Sequence, residues 1–122
     1  MRYGDDFDFL LQEQRKLTSM WGRIPDGDDP AAMSAYVRDC ILCLTDEAHE
    51  LLHECYWRPW QKQGGIRDLS AFREELADIL HFLLELYLVT GCDGPQIIED
   101  YMTKHQENIR RVSDMEYING SH

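Results

Sequence analysis

At 122 residues the chain is long enough for one domain with its own core and too short for two. A net charge of −11 would repel nucleic-acid phosphates, so nucleic acid is not an expected partner. No run of about 18 apolar residues marks a membrane span, and the acidic start MRYGDDFDF does not resemble a signal peptide; a soluble cytoplasmic protein is the expectation.

Turn residues divide the sequence into four predicted helices. The first runs from about Asp6 to Trp21, with Phe9, Leu10, Leu17 and Trp21 as apolar positions and Phe9 and Trp21 expected in the core. It ends before Gly22 and Pro25, and GRIPDGDD forms a loop. Asp29 followed by Pro30 is an N-cap and first-turn proline, opening a second helix to about Tyr56 or Trp57. Pro59 cannot continue it, and WRPWQKQGGIRD forms the next loop. Ser70 is the expected cap of a third helix that reaches Thr90 and stops at Gly91. Gly94-Pro95 starts the fourth, from about Gln96 to Tyr117, followed by a frayed INGSH tail whose Gly120-Ser121-His122 resembles an artificial remnant. No strand pattern competes, so the expected fold is a single all-α, four-helix domain over 1–122. The third helix, apolar nearly all round, exceeds what three short neighbours can cover, which favours a homodimer or homotetramer sharing a bundle core.

The chemistry concentrates in two acidic pairs, Glu47-x-x-Glu50 and Glu75-x-x-Asp78. Residues three apart on a helix point the same way, so each pair presents two carboxylates together, as hard divalent cations such as Mg²⁺ require. Asp78, His81 and Glu85, with Glu74 and Glu75, fall in one polar wedge of an otherwise apolar helix, so the wedge is expected to face an interior cleft. On the second helix Ile41, Leu44, Ala48, Leu51, Leu52 and Cys55 make the apolar face. Carboxylates crowded in a partly dry cleft repel and lose hydration unless cations neutralise them. A solvated acidic face is the simpler alternative, and it suits one isolated pair better than two.

The four cysteines, Cys40, Cys43, Cys55 and Cys92, suit reduced thiols. Cys40-x-x-Cys43 lies in a helix without the tight turn that structural zinc sites use. On the fourth helix Tyr101, Lys104, Asn108 and Arg111 share one side, a set that suits phosphate oxygens or, alternatively, surface salt bridges. Trp57, Trp60 and Lys62 follow the first acidic pair; the tryptophans either stack on a base or cover the bundle end. His81 is a ligand neighbour, a carboxylate's hydrogen-bond partner or a satisfied histidine, with the last two favoured.

Two rivals stand beside a magnesium site. Glu50-x-x-His53 and Asp78-x-x-His81 have the carboxylate-x-x-His spacing of di-iron bundles, which need two further glutamates. Glu13, Glu99 and Glu107 are the candidates for that role. A non-enzymatic helical adaptor would leave the acidic wedges unliganded.

E-x-x-E, a spacer from Leu51 to Glu74, then E-x-x-D resembles the signature of the all-α nucleoside triphosphate pyrophosphohydrolases, which include MazG-like enzymes and dimeric dUTPases. ELLHECYWRPWQK followed by REELADILHFLLELYLVTG is similar to the dimeric dUTPase arrangement, and the correspondence extends over 47–111. The resemblance implies Mg²⁺-dependent hydrolysis, with Mn²⁺ a possible substitute, of a nucleoside triphosphate to monophosphate and pyrophosphate. Glu47, Glu50, Glu75 and Asp78 would hold metal, with Glu50 and Glu47 catalytic and Glu50 the first choice to orient or deprotonate water. Lys104, Asn108 and Arg111 would grip phosphates, and Tyr101, Trp57, Trp60, Lys62 and His81 would contact substrate. The chain is short beside the larger dimeric dUTPases, whose inserted helices complete a uracil pocket. Among substrates dUTP is expected first, with dCTP and purine deoxynucleotides as alternatives.

Overall fold

The computed structural model describes residues 2–22 and 24–120, the last four of them as backbone only. Four helices follow one another: α1 (Asp5–Trp21), α2 (Pro30–His53), α3 (Leu69–Val89) and α4 (Gly94–Gly120). Among the described residues the one extended pairing is an antiparallel bridge between Cys55 and Ile66, so the fold is all-α. Ser121 and His122, the end of the expected tail, lie outside the described residues.

The caps explain the boundaries. Asp29 accepts from the Ala32 amide at 3.1 Å and Pro30 follows at the first helical position, as expected for α2. The cap of α3 is Asp68 rather than Ser70: its carboxylate accepts from the Ser70 and Ala71 amides at 3.0 and 3.2 Å. A carboxylate also suits the positive end of the helix. α2 ends at His53, short of the expected Tyr56 or Trp57. Backbone bonds across the next loop take over, from Tyr56 to Gly65 at 2.9 Å and from Arg67 to Glu54 at 2.8 Å. At the end of α3, Gly91 takes φ 73°. Its amide and that of Cys92 donate to the carbonyls of Leu88 and Tyr87, the paired bonds of a Schellman stop.

α2 and α3 run antiparallel, α1 lies along α3, and α4 touches α1 alone among the helices. The α1–α4 junction is a backbone crossing. A Cβ on Gly4 would stand 2.4 Å from the Gly94 carbonyl carbon, and Asp8 accepts from the Gly94 amide at 2.6 Å. The core consists of Leu11, Leu84 and Ile97, with Phe7, Leu10 and Tyr87 among the side chains packed on it.

Phe9 and Trp21, expected inside, are 60% and 69% exposed. The stripe of α1 that faces inward carries Leu11, Gln14 and Thr18. Phe9 is two positions, about 200°, from Leu11 and so points away. The inward stripe is partly polar because it must satisfy a carboxylate on α3.

A folded monomer of 14.4 kDa is expected to expose about 6,800 Å². This chain exposes 9577 Å², roughly 2,700 Å² more than that scaling gives. Large apolar side chains account for much of it: Ile41 and Leu42 on α2, Leu76 and Leu80 on α3, Ile109 and Val112 on α4.

Candidate active site

The antiparallel α2–α3 pair brings one acidic motif opposite the other. Oxygens of Glu47, Glu75 and Asp78 lie within 4.8 Å of one another. Glu47 and Glu75 are half-buried and Asp78 is exposed, so the trio sits at the edge of a seam. Glu75 shares a hydrogen bond with Glu47, which two ionised carboxylates cannot do. That bond, partial burial and the charges of Glu47, Asp78 and Glu50 push the Glu75 carboxyl up to about 7. The Glu75 Oε2 is shut off from solvent and has no hydrogen-bond partner. Glu50 stands outside the trio, exposed, but close enough for its charge to reach Glu75.

The donor set fits a small hard cation. Two oxygens on opposite sides of Mg²⁺ are about 4.2 Å apart, which three oxygens within 4.8 Å can meet with small rotamer changes. Among the described residues this group contains no histidine or cysteine, as a di-iron or zinc centre would require. Both histidines of the carboxylate-x-x-His spacings are engaged elsewhere. His53 meets His49 ring to ring, Nε2 to Nε2 at 3.1 Å, and His81 Nδ1 lies 2.8 Å from the Ala77 carbonyl. Cys40 donates to the Phe82 carbonyl at 3.5 Å, and all four cysteines are free thiols.

One turn along the same seam lies a hollow of about 440 Å³, walled by Gln14 and Trp21 of α1, Tyr36 and Cys40 of α2, and Phe82 and Glu85 of α3. Asp39, Cys43 and His81 border it too. Cys43 is four residues before Glu47 and His81 three after Asp78, so hollow and acidic trio adjoin at a separation of ~5.4 Å along the helices. Glu85 is 5% exposed and heavily bonded: Gln14 Nε2 donates at 2.9 Å, Thr18 Oγ1 at 2.5 Å, and the Tyr36 hydroxyl also donates. Burial, then the Glu85 carboxylate, push the Tyr36 phenol upward. Burial also lifts the Cys40 thiol to about 11, with Glu85 and Cys43 adding to the shift.

The remaining expected contacts are dispersed. Lys104 and Arg111 bind Glu107 of their own helix, at 3.4 and 2.6 Å, and Arg111 chiefly holds the Glu107 carboxyl below its usual range. Tyr101 stacks on His105. Asn108 is exposed, and since α4 packs only on α1, none of these four reaches the acidic seam of its own chain. Trp57, Trp60 and Lys62 occupy the loop closed by the Cys55–Ile66 bridge, Trp57 beneath the Arg58 guanidinium and Trp60 76% exposed. They do not cover a core. Glu74 borders a separate shallow surface away from the seam.

Sequence reasoning missed Gln14, Thr18, Tyr36 and Cys40. A signal was present: Tyr36, Cys40, Cys43 and Glu47 continue one stripe at spacings of four, three and four, and so do Asp78, Phe82 and Glu85.

Four helices with a carboxylate seam and an adjoining pocket define an all-α bundle of the MazG-like kind. The family model described as dUTPase matches residues 6–93, most of the chain, and the chain belongs to that family, a family of nucleotide hydrolases. The match takes in α1, α2 and α3 with their loops and ends where α4 begins. No curated protein and no solved structure matches the chain significantly.

Proposed function

We propose that the protein is a Mg²⁺-dependent pyrophosphohydrolase that cleaves deoxynucleoside triphosphates between the α- and β-phosphates and works as a homo-oligomer. The observation that carries this reading is the Glu47–Glu75–Asp78 cluster, whose crowded carboxylates and unpartnered Glu75 Oε2 call for a cation. Bound Mg²⁺, or Mn²⁺ in its place, would neutralise charge gathering on the α-phosphate. Glu47, Glu75 and Asp78 hold the metal. Glu50, solvated and one turn from Glu47, is free to orient the attacking water and take its proton.

The hollow beside the trio receives the nucleoside, leaving the phosphates at the acidic end. Trp57, Trp60 and Lys62 stand on a loop at that end of the hairpin. The family's description makes dUTP the first substrate to consider, with dCTP and purine deoxynucleotides after it.

A second copy completes the site. Counted at 100° per residue, Tyr101, Lys104, Asn108 and Arg111 fall within about 80° of α4 and adjoin an arc of exposed Met102, Ile109, Val112 and Met115. Seating that arc on another chain covers part of the excess surface. It also places the basic stripe alongside a partner, where Lys104, Asn108 and Arg111 can meet phosphate.

The test is pyrophosphate release by Glu47→Gln and Asp78→Asn at saturating Mg²⁺. Metal stabilisation of this kind is worth several kcal/mol, so each variant should lose at least about a hundredfold in kcat while its far-ultraviolet dichroism is unchanged. Undiminished turnover in both variants ends the metal assignment.

A further inference from the structure

One pair of side chains takes no part in the acidic cluster or the hollow beside it. His49 and His53 lie four residues apart on α2, so their side chains stand one above the other on the helix surface. Their Nε2 atoms face each other at 3.1 Å, with the rings perpendicular and their centroids 4.6 Å apart. Counted at 100° per residue, His49 and His53 are about 160° and 120° around the helix from Glu47. The pair therefore looks away from the Glu47–Glu75–Asp78 cluster.

Two imidazole nitrogens do not meet at this distance lone pair to lone pair; something positive stands between them. A proton does so when one ring is protonated at Nε2 and donates to the other. A cation does so when both neutral rings carry their proton at Nδ1, which leaves two lone pairs converging on one point. The exchange moves a proton from Nε2 to Nδ1 within one ring and releases none.

The spacing also says which cation fits. Nitrogens 3.1 Å apart, each about 2.1 Å from a common ion, subtend about 95° at that ion. A square or octahedral site asks for ~90°, whereas a tetrahedral one would need the nitrogens ~3.4 Å apart. Imidazole suits d-block ions, while Mg²⁺ takes oxygen ligands. Asp46 and Glu50, both exposed, stand three residues before His49 and His53 and share the same arc of about 100°. Their charge, in a chain of net −11, draws cations to this face.

We propose that His49 and His53 form a second metal site, a two-nitrogen chelate for a divalent d-block cation of the Ni²⁺ or Cu²⁺ class, separate from the acidic cluster. Among the described residues no third His, Cys, Asp or Glu is drawn as close to the pair as the acidic trio is to itself, so the remaining positions are open to water. The site holds whether or not the chain hydrolyses a nucleotide.

The probe is Ni²⁺, which does not oxidise the four free thiols. Titrated by calorimetry into the full chain, with excess Mg²⁺ to occupy the acidic cluster, it should bind the wild type. The second imidazole binds intramolecularly, so His49→Gln and His53→Gln should each weaken Ni²⁺ binding by about tenfold or more. Glu75→Gln, which removes a carboxylate of the acidic cluster, should leave it unchanged. Proton NMR of the wild type needs no variant to fold: substoichiometric Ni²⁺ should broaden the imidazole C–H signals of His49 and His53 ahead of those of His81 and His105. A wild type that binds no Ni²⁺, affinity undiminished in both His variants, an equal loss in Glu75→Gln, or broadening that spares these two rings overturns the site.

Discussion

Disrupting the apolar arc of α4 should dissociate the protein without unfolding its chains. The single chain exposes roughly 2,700 Å² beyond the expectation for its mass, and obligate interfaces bury about 2,000–5,000 Å² in total, so two such chains carry enough surface for one. Ile109 and Val112 are 53% and 55% exposed, leaving about half of each side chain to be buried by a partner. Full burial of an aliphatic side chain is worth about 1.5–3 kcal/mol, so each position stands to gain roughly 0.8–1.5 kcal/mol per copy. A two-fold interface counts every position twice. Ile109→Asp with Val112→Asp should therefore weaken association by about 3–6 kcal/mol, or roughly 10²–10⁴ in Kd, before any cost of burying charge. The assay is sedimentation equilibrium at low micromolar protein, with circular dichroism on the same samples. Oligomeric wild type and monomeric, helical variant are the expected pair. A monomeric wild type would refute the reasoning, as would a variant that assembles as tightly as its parent.

The raised Glu75 carboxyl binds a proton in the folded state that the unfolded chain releases near its ordinary value of 4.5. With chelator present, stability should consequently fall as pH rises from about 4.5 through about 7, and added Mg²⁺ should cancel the slope; flat melting curves would remove the linkage. Over the same range the proton competes with the cation, so apparent Mg²⁺ affinity should drop about tenfold per unit below 7, as read by calorimetry. Gly94→Ala places a Cβ 2.0 Å from the Gly4 carbonyl oxygen, and the overlap should cost about 1–3 kcal/mol and detach α4 from α1, visible as faster amide exchange in both. Asp68→Ala removes the acceptor for two amides at the start of α3 and should cost about 1 kcal/mol in chemical denaturation, whereas Ser70→Ala should cost much less.

Helix number and order were legible because Gly, Pro and Asp mark the breaks chemically, and the two acidic pairs were legible because spacing alone puts each on one face. What stayed hidden depended on rotation and on partners. Phe9 and Trp21 have the composition of core residues, but the orientation of α1 is set by the need of Glu85 for donors, which only Gln14 and Thr18 on that helix supply. The end of α2 was missed because the competing bonds come from Gly65 and Arg67, distant in sequence and unmarked by any periodicity. Lys104, Asn108 and Arg111 form a legible stripe, but no pattern in one chain says which chain's phosphates they would meet.

The two shielded carboxylates of α3 show how one helix can hold both architecture and reactivity. Glu75 and Glu85 are ten residues apart, about 80° of rotation from each other, and both face α2. Glu85 is deeply buried, yet three donors satisfy it, so it needs no ion and fixes α1, α2 and α3 in register. Glu75 is less buried and has an unpartnered oxygen, a proton shared with Glu47 and further acidic neighbours in Asp78 and Glu50. Burial alone therefore does not distinguish a structural carboxylate from a ligand; the supply of donors does. By that criterion the α2–α3 seam is electrostatically complete at one end and incomplete at the other.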